Sequence, residues 1–465
     1  MAIFKLIWLS QLAFAERPTE GGFFSFEPSD VVESYDLERI RIHYSVSGPN
    51  QTLLTDHDHS GVPDYVELVA EVSVDVMAHF ESLGFKLPLF EDEMGLTSLG
   101  GSNALDWYLV DFGGSADGQF GIDACIEERC SGYIVMENDF NGYGYPTREE
   151  AVRTLSSHEY FHAIQAAYHA SRSDWLSEGT AVWAEHSYDN TLMDFFWLCS
   201  AYLEDTGRSI DSPPVGAVSS FSYGTGLFYA FLVEQYGPEG MVILQDILSD
   251  PSIDDLGGLL LAITDMGGTL STDWVTFSEW NLATDFRAGQ MESYPYADSL
   301  FGLVPEGEGT LIRDDHRFYP LASTYYRIDH GGGALQFVVF DETEGVRMSL
   351  HPVANGLADG PVESAIDRWS VTGPMERRWE LPAGGYWLIG SYPAAAEQSE
   401  KFEFCIGPET DCILPQNNLS DTGFRSAEPS SKNPSGCQAV NSGGMLWSLT
   451  WLMALASRRF SLQEN

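Results

Sequence analysis

The pentapeptide His158-Glu159-Tyr160-Phe161-His162 restricts what this chain can fold into more than any other stretch. It matches H-E-x-x-H, and from Glu149 to His169 no glycine or proline interrupts a helix. Positions four apart share a helix face, so both imidazoles can grip one zinc ion while Glu159 reaches a water beside it. The fold must then bury a helix with a polar face and bring a third ligand to it.

A catalytic zinc takes three protein ligands and keeps a position for water. The metzincin pattern supplies a histidine six residues past the second one, after a glycine three residues past it; here those positions are Tyr168 and Gln165. His169 lies seven past His162 and reaches the metal only if the helix bends sharply. Glu178, in "DWLSEGTAVWAE", is the better candidate: Ser171 to Ser173 break the first helix, and Asp174 or Ser177 can cap a second whose opening turn faces back. With Glu178 included, the segment resembles the gluzincin metallopeptidases, in which two helices carry H-E-x-x-H and a downstream Glu. The resemblance implies His158, His162 and Glu178 as ligands of a catalytic Zn2+, and Glu159 as general base toward a zinc-activated water.

The stretch "SYGTGLFYAFLVEQYGPEG" resembles a later helix of the aminopeptidase-N family, whose leading tyrosine hydrogen-bonds the oxyanion; Tyr223 maps onto it. A packed aromatic at a helix start is the other reading of Tyr223. "VMEN", residues 135–138, is similar to the substrate-binding edge strand of the same aminopeptidases. Glu185 is either a hydrogen-bond partner for a ligand histidine or a surface carboxylate.

Upstream, "DHDHSGVPDYVE" follows the twelve-position calcium loop: Asp56, Asp58 and Ser60 at positions 1, 3 and 5, Gly61 at 6, Val62 by its carbonyl at 7, Asp64 at 9 and Glu67 at 12. No helix leads in and no second loop pairs with it, so the expectation is one structural Ca2+; an acidic turn capping the next helix is the alternative.

Lys5, the apolar run from Leu6 and Ala13-Phe14-Ala15 make residues 1–15 a signal peptide. Export allows Cys125–Cys130 and Cys405–Cys412 to be disulfides, with Cys199 a buried thiol. At the other end, residues 414–436 are a flexible linker ending in Gly436, and 437–465 carry Cys437, a short apolar run and Arg458-Arg459. That arrangement resembles the MYXO-CTERM sorting tail, which implies Cys437 as the processing or lipidation point.

The remainder divides into 16–145, strand-like runs with one amphipathic helix and the calcium-type loop; 146–308, mostly helical with the zinc site; and 309–413, short alternating strands that read as a β-sandwich. "ELPAGGYWLIGSY" and "EKFEFCI" within it resemble the small β-sandwich domains appended to secreted bacterial peptidases. The expected class is α+β: a zincin-like domain, mixed sheet then helices, plus a C-terminal β-sandwich. With 23 basic against 69 acidic residues, the net charge of -46 repels phosphate backbones and excludes nucleic acid as a partner. Taken whole, the chain resembles a family of secreted metalloproteases with such tails. The expected function is an exported, surface-attached zinc metalloprotease acting on peptide or protein substrates, with export and C-terminal sorting machinery as partners and membrane contact only through the tail. The competing class is a non-catalytic zinc-stabilised surface adhesin or carbohydrate-binding protein; a glutamate beside the first ligand favours the enzyme.

Overall fold

A computed structural model describes residues 16–412 apart from 23, 217, 238–239, 250–253 and 395–398. The expected signal peptide, the linker, Cys437 and the sorting tail lie outside the described residues.

The chain is mixed α and β. Strands β1 (Val32–Leu37) and β2 (Ile40–Ser45) pair antiparallel, and helix α1 (Asp64–Ser82) carries the chain across to β3 (Leu105–Val110), parallel to β2. In α1, Val66, Val69, Val76 and Phe80 recur at helical spacing and are fully buried, which sets the helix on the sheet. Strands β4 (Gly118–Ile126) and β5 (Arg129–Glu137) form a hairpin clipped at its tip by the Cys125–Cys130 disulfide. The sheet order is β1-β2-β3-β5-β4, with β4 antiparallel at the edge. Residues 135–137 of "VMEN" fall on β5, which is paired on both sides. The expectation of an edge strand there is corrected: β4 holds the edge, because the stretch from Gly118 pairs with β5 instead of forming a loop.

Arg17 ties this sheet to the start of the described chain. Its buried guanidinium donates to Asp106 of β3 at 2.6 Å, to Asp123 of β4 at 2.6 Å and to Glu91 at 2.5 Å. One cation spread over three desolvated carboxylates offsets a burial cost that none of them could meet unpaired.

The helical part follows: α2 (Arg148–Tyr168), α3 (Asp174–Tyr188), α4 (Met193–Leu203), α5 (Ser220–Gly224), α6 (Gly226–Tyr236), α7 (Gly240–Ser249), α8 (Asp255–Asp265) and α9 (Leu270–Leu282). Thr147 caps α2 by accepting from the Glu150 N–H at 3.0 Å. From Thr154 to Tyr168 every α2 residue is buried, so the helix runs through the centre of the domain and its polar groups must find partners inside. The close crossing of α3 with α6 rests on Gly179, where a Cβ would stand 2.2 Å from Thr225 Oγ1 and 2.7 Å from the Tyr229 ring.

Beyond residue 306 come β6 (Gly307–Gly309), β7 (Ile312–Phe318), β8 (Ala322–His330), β9 (Gly333–Val339), β10 (Glu344–Pro352), β11 (Asp367–Thr372), β12 (Met375–Leu381), β13 (Gly384–Tyr392) and β14 (Glu400–Pro408). They form two sheets, β11-β10-β13-β8-β6 and β12-β9-β14-β7. Ile328, Leu350 and Leu388 of the first share a core with Phe337, Phe404 and Ile406 of the second. Alternation puts Tyr325, Trp387 and Ile389 on the opposite face of the first sheet, where they join the core of the helical part. Cys405 is bonded to Cys412, and Cys199 is a buried free thiol. Among the described residues no helix is long and apolar enough to cross a membrane.

Candidate metal centre

One turn of α2 presents His158 and His162, and α3 returns Glu178 against them. Glu178 Oε2 lies 3.4 Å from His158 Nε2 and 3.6 Å from His162 Nε2, and all three side chains are buried. Donor atoms sharing a tetrahedral zinc at about 2.0–2.1 Å lie roughly 3.4 Å apart, so the spacing fits that ion. The chemistry of the donors fits as well: His158 Nε2 and Glu178 Oε2 are buried without a hydrogen-bond partner. A buried polar atom left in that state costs about 1–3 kcal/mol, which a cation between them removes.

The far sides of the rings are held. His158 Nδ1 meets Glu185 Oε1 at 2.6 Å, and His162 Nδ1 meets Gln165 Oε1 at 2.9 Å. With each Nδ1 donating its proton outward, both Nε2 lone pairs point toward Glu178. Burial would raise the Glu178 carboxyl, but with no cation between them the imidazoles of His162 and His158, protonated at Nε2, hold it at about 2, and a metal ion would take the place of those protons. It is therefore an anionic donor.

Glu159 is fully buried, and neither carboxylate oxygen has a hydrogen-bond partner. Burial pushes it up to about 7, with Glu178 and Asp117 adding to the rise and the two imidazoles opposing it. Room for this side chain comes from the edge strand: at Gly118 a Cβ would stand 2.8 Å from Glu159 Oε1 and 2.7 Å from Leu155 Cδ1. Tyr223, on α5, sets its ring 5.9 Å from that of His158, and its hydroxyl is buried without a hydrogen-bond partner. Burial, then the charges of Glu178 and Glu159, keeps that phenol protonated, well above its ordinary range.

The turn between the two helices is fixed from a distance. Asp255 of α8 accepts from the Ser173 backbone N–H at 2.7 Å, from the Ser173 hydroxyl and from Arg172 at 3.0 Å. Neither Asp174 nor Ser177 caps α3, as the sequence had suggested; Ser173 precedes it and is held by Asp255. His169 falls in this turn, accepts from the Ser171 N–H at 3.2 Å and faces Glu128 at 3.8 Å, apart from the ligand group.

In the calcium-type loop, Asp56, Asp58 and Asp64 are brought together with their carboxylate oxygens within 4.8 Å of one another. The Asp56 and Asp58 carboxylates accept from the Ser60 N–H at 3.2 and 3.0 Å, and Asp56 also from Gly61, whose φ of +91° suits glycine. Ser60 Oγ and the Val62 carbonyl are 3.2 Å apart, and His57 is paired with Asp64. Glu67, expected at the twelfth position, lies in the first turn of α1 and is not among the three grouped carboxylates.

Sequence reasoning passed over Gln165, Asp117 and Tyr145. Asp117, buried just before Gly118, accepts from Tyr145 OH at 2.8 Å and is raised, chiefly by burial. It sits in "SADGQFG", whose turn-like composition hides a strand start.

No protein-family model matches the chain, and no curated protein matches it. Among solved structures, it is similar to the pre-peptidase C-terminal domain of a collagenase from Bacillus anthracis, at 11% identity over 22% of this chain and 95% of that one, with a TM-score of 0.18. It is also similar to PliG of Aeromonas hydrophila, a periplasmic inhibitor of g-type lysozyme, at 17% identity over 22% of this chain and 98% of that one, with a TM-score of 0.16.

Proposed function

We propose that the protein is an exported zinc metallopeptidase of gluzincin type. The single observation that carries this reading is the meeting of His158 Nε2, His162 Nε2 and Glu178 Oε2 at zinc spacing, beside a buried carboxylate, Glu159, that takes no part in the ligand set. A structural zinc usually takes four protein donors and has no use for a free carboxylate alongside. The mixed sheet with an antiparallel edge strand running past Glu159 supports the zincin-like assignment of residues 16–308.

A zinc ion held by His158, His162 and Glu178 supplies Lewis acidity to water and to the scissile carbonyl. Glu159 would take the proton from the attacking water and pass it to the leaving amine, since it is buried beside the ligands with neither carboxylate oxygen engaged elsewhere. Tyr223, protonated and with its ring 5.9 Å from that of His158, is placed to donate to the carbonyl oxygen as charge develops there. The unpaired side of β4 supplies backbone groups to which an extended peptide can add as a further strand.

The two disulfides support an oxidising destination, in keeping with the signal peptide read from the sequence. Surface attachment through the tail at Cys437 is part of the same proposal, and so is a structural Ca2+ at Asp56, Asp58 and Asp64. The test is hydrolysis of a mixed peptide library by the purified protein with and without a zinc chelator. Cleavage that stops with chelation and returns with zinc is expected; zinc uptake with no cleavage of any peptide favours the adhesin or carbohydrate-binding alternative.

A further inference from the structure

Resting on the zinc reading above, we propose that Gln165 is a positioning residue that sets both the proton of His162 and the placement of Glu178, so that one amide aligns ligands from two helices. Gln165 Nε2 lies 2.8 Å from the Ser177 carbonyl oxygen and 2.8 Å from Thr180 Oγ1. A carbonyl only accepts, so the nitrogen end must face Ser177 and the oxygen end must face His162. Gln165 Oε1 then accepts from His162 Nδ1 at 2.9 Å, and the Ser177 hydroxyl lies 3.2 Å from the same oxygen. An acceptor at Nδ1 fixes the proton there and leaves the Nε2 lone pair for the metal.

The same side chain anchors the opening turns of α3. Ser177 and Thr180 flank Glu178, so the two bonds from Gln165 Nε2 hold the Ser177 backbone carbonyl on one side of the third ligand and the Thr180 side chain on the other. Gln165 is 4% exposed, so these bonds are shielded from bulk water. The two ligand imidazoles are treated differently: His158 has a carboxylate partner, Glu185, whereas His162 has a neutral amide. A carboxylate at 165 could replace the acceptor to His162 but could not donate to Ser177. That difference separates the two roles.

The experiment measures zinc affinity of the full chain by competition with a chromogenic chelator, and the melting temperature of the zinc-free protein, for the parent, Gln165→Leu, Gln165→Glu and His162→Ala. Gln165→Leu removes both roles and should weaken zinc by about 10–100-fold. Gln165→Glu should recover affinity to within about fivefold of the parent while melting as low as the leucine variant, because only the acceptor returns. An affinity for Gln165→Leu within about twofold of the parent overturns the proposal, as does a Gln165→Glu variant that binds zinc no better than Gln165→Leu. If Gln165→Leu gives no cooperative melt, Gln165→Glu alone decides: a loss within about fivefold supports the role and a larger loss overturns it. A parent protein that takes up no zinc, or that matches His162→Ala, defeats the metal reading itself, which distinguishes the two failures.

Discussion

Glu185 accepts from His158 Nδ1 at 2.6 Å, two helical turns beyond Glu178 on the same face of α3. A single helix thus supplies a candidate ligand and the carboxylate that orients another ligand. Burial raises the Glu185 carboxyl, and its bond and attraction to His158 oppose that rise. Glu185→Ala should therefore lower zinc affinity by about 10–100-fold without removing a ligand. Chelator competition measures it; an unchanged affinity would return Glu185 to the status of a buried structural carboxylate.

The third ligand separates two candidates that sequence spacing leaves close together. Glu178→Ala removes one of three donors, so most zinc should be lost on dialysis at neutral pH. His169, facing Glu128 outside the ligand group, should be replaceable by alanine with the metal retained. Elemental analysis of both variants tests the ranking, and the reverse order would defeat the gluzincin assignment.

At the acidic loop, a calcium ion that binds only the folded chain stabilises it by mass action. The parent should melt higher in millimolar calcium than in chelator. Asp56→Ala, which removes a carboxylate that organises both Ser60 and Gly61, should melt alike in the two conditions. A parent indifferent to calcium removes the site from the account.

The sandwich and the helical part are joined by an ion pair with a definite pH signature. Glu279 of α9 accepts from Arg368 of β11 at 2.6 and 2.8 Å, with His351 at 3.7 Å. Burial works to raise the carboxyl, but the nearby His351 imidazole and the bonds from Arg368 hold it at about 2, below its ordinary 4.5. A folded-state value below the unfolded one adds stability at pH above the unfolded value, and that contribution fades as pH falls from about 4.5 toward 2. Because Arg368 is half exposed, the contribution is about 1–2 kcal/mol. Glu279→Gln should be less stable by that amount at pH 7, by less at pH about 3, and converge on the parent only toward pH about 2. Denaturant titrations at these pH values decide it; a difference constant with pH would contradict the pairing.

Much of the site was legible because its signals are local. H-E-x-x-H needs only one helix face, and the break at Ser171–Ser173 marks where the chain turns back with Glu178. Local cysteine spacing, five and seven residues, likewise pointed to the two disulfides. What stayed hidden depends on partners distant in sequence. Arg17 meets Asp123 across 106 positions, and Asp255 pins Ser173 across 82, so neither leaves a periodic trace. The likeness of "VMEN" to an edge strand rests on four letters, which do not encode the pairing of β5 with β4 on its far side. Glu67 fits the twelfth position of a calcium loop by letter, yet it lies in the first turn of the helix that begins at Asp64 and is not among the three grouped carboxylates.

Glu159 tests the central claim most directly, because it stands beside the ligands and is not one of them. Glu159→Gln keeps the size of the side chain and removes its capacity to accept a proton. Zinc content and peptide hydrolysis should be measured on the same preparation. The expected result is zinc bound as in the parent with peptidase activity reduced by about 10²–10⁴-fold. Full activity in this variant, or loss of its zinc, would contradict the assignment of a catalytic metal centre with Glu159 as its base.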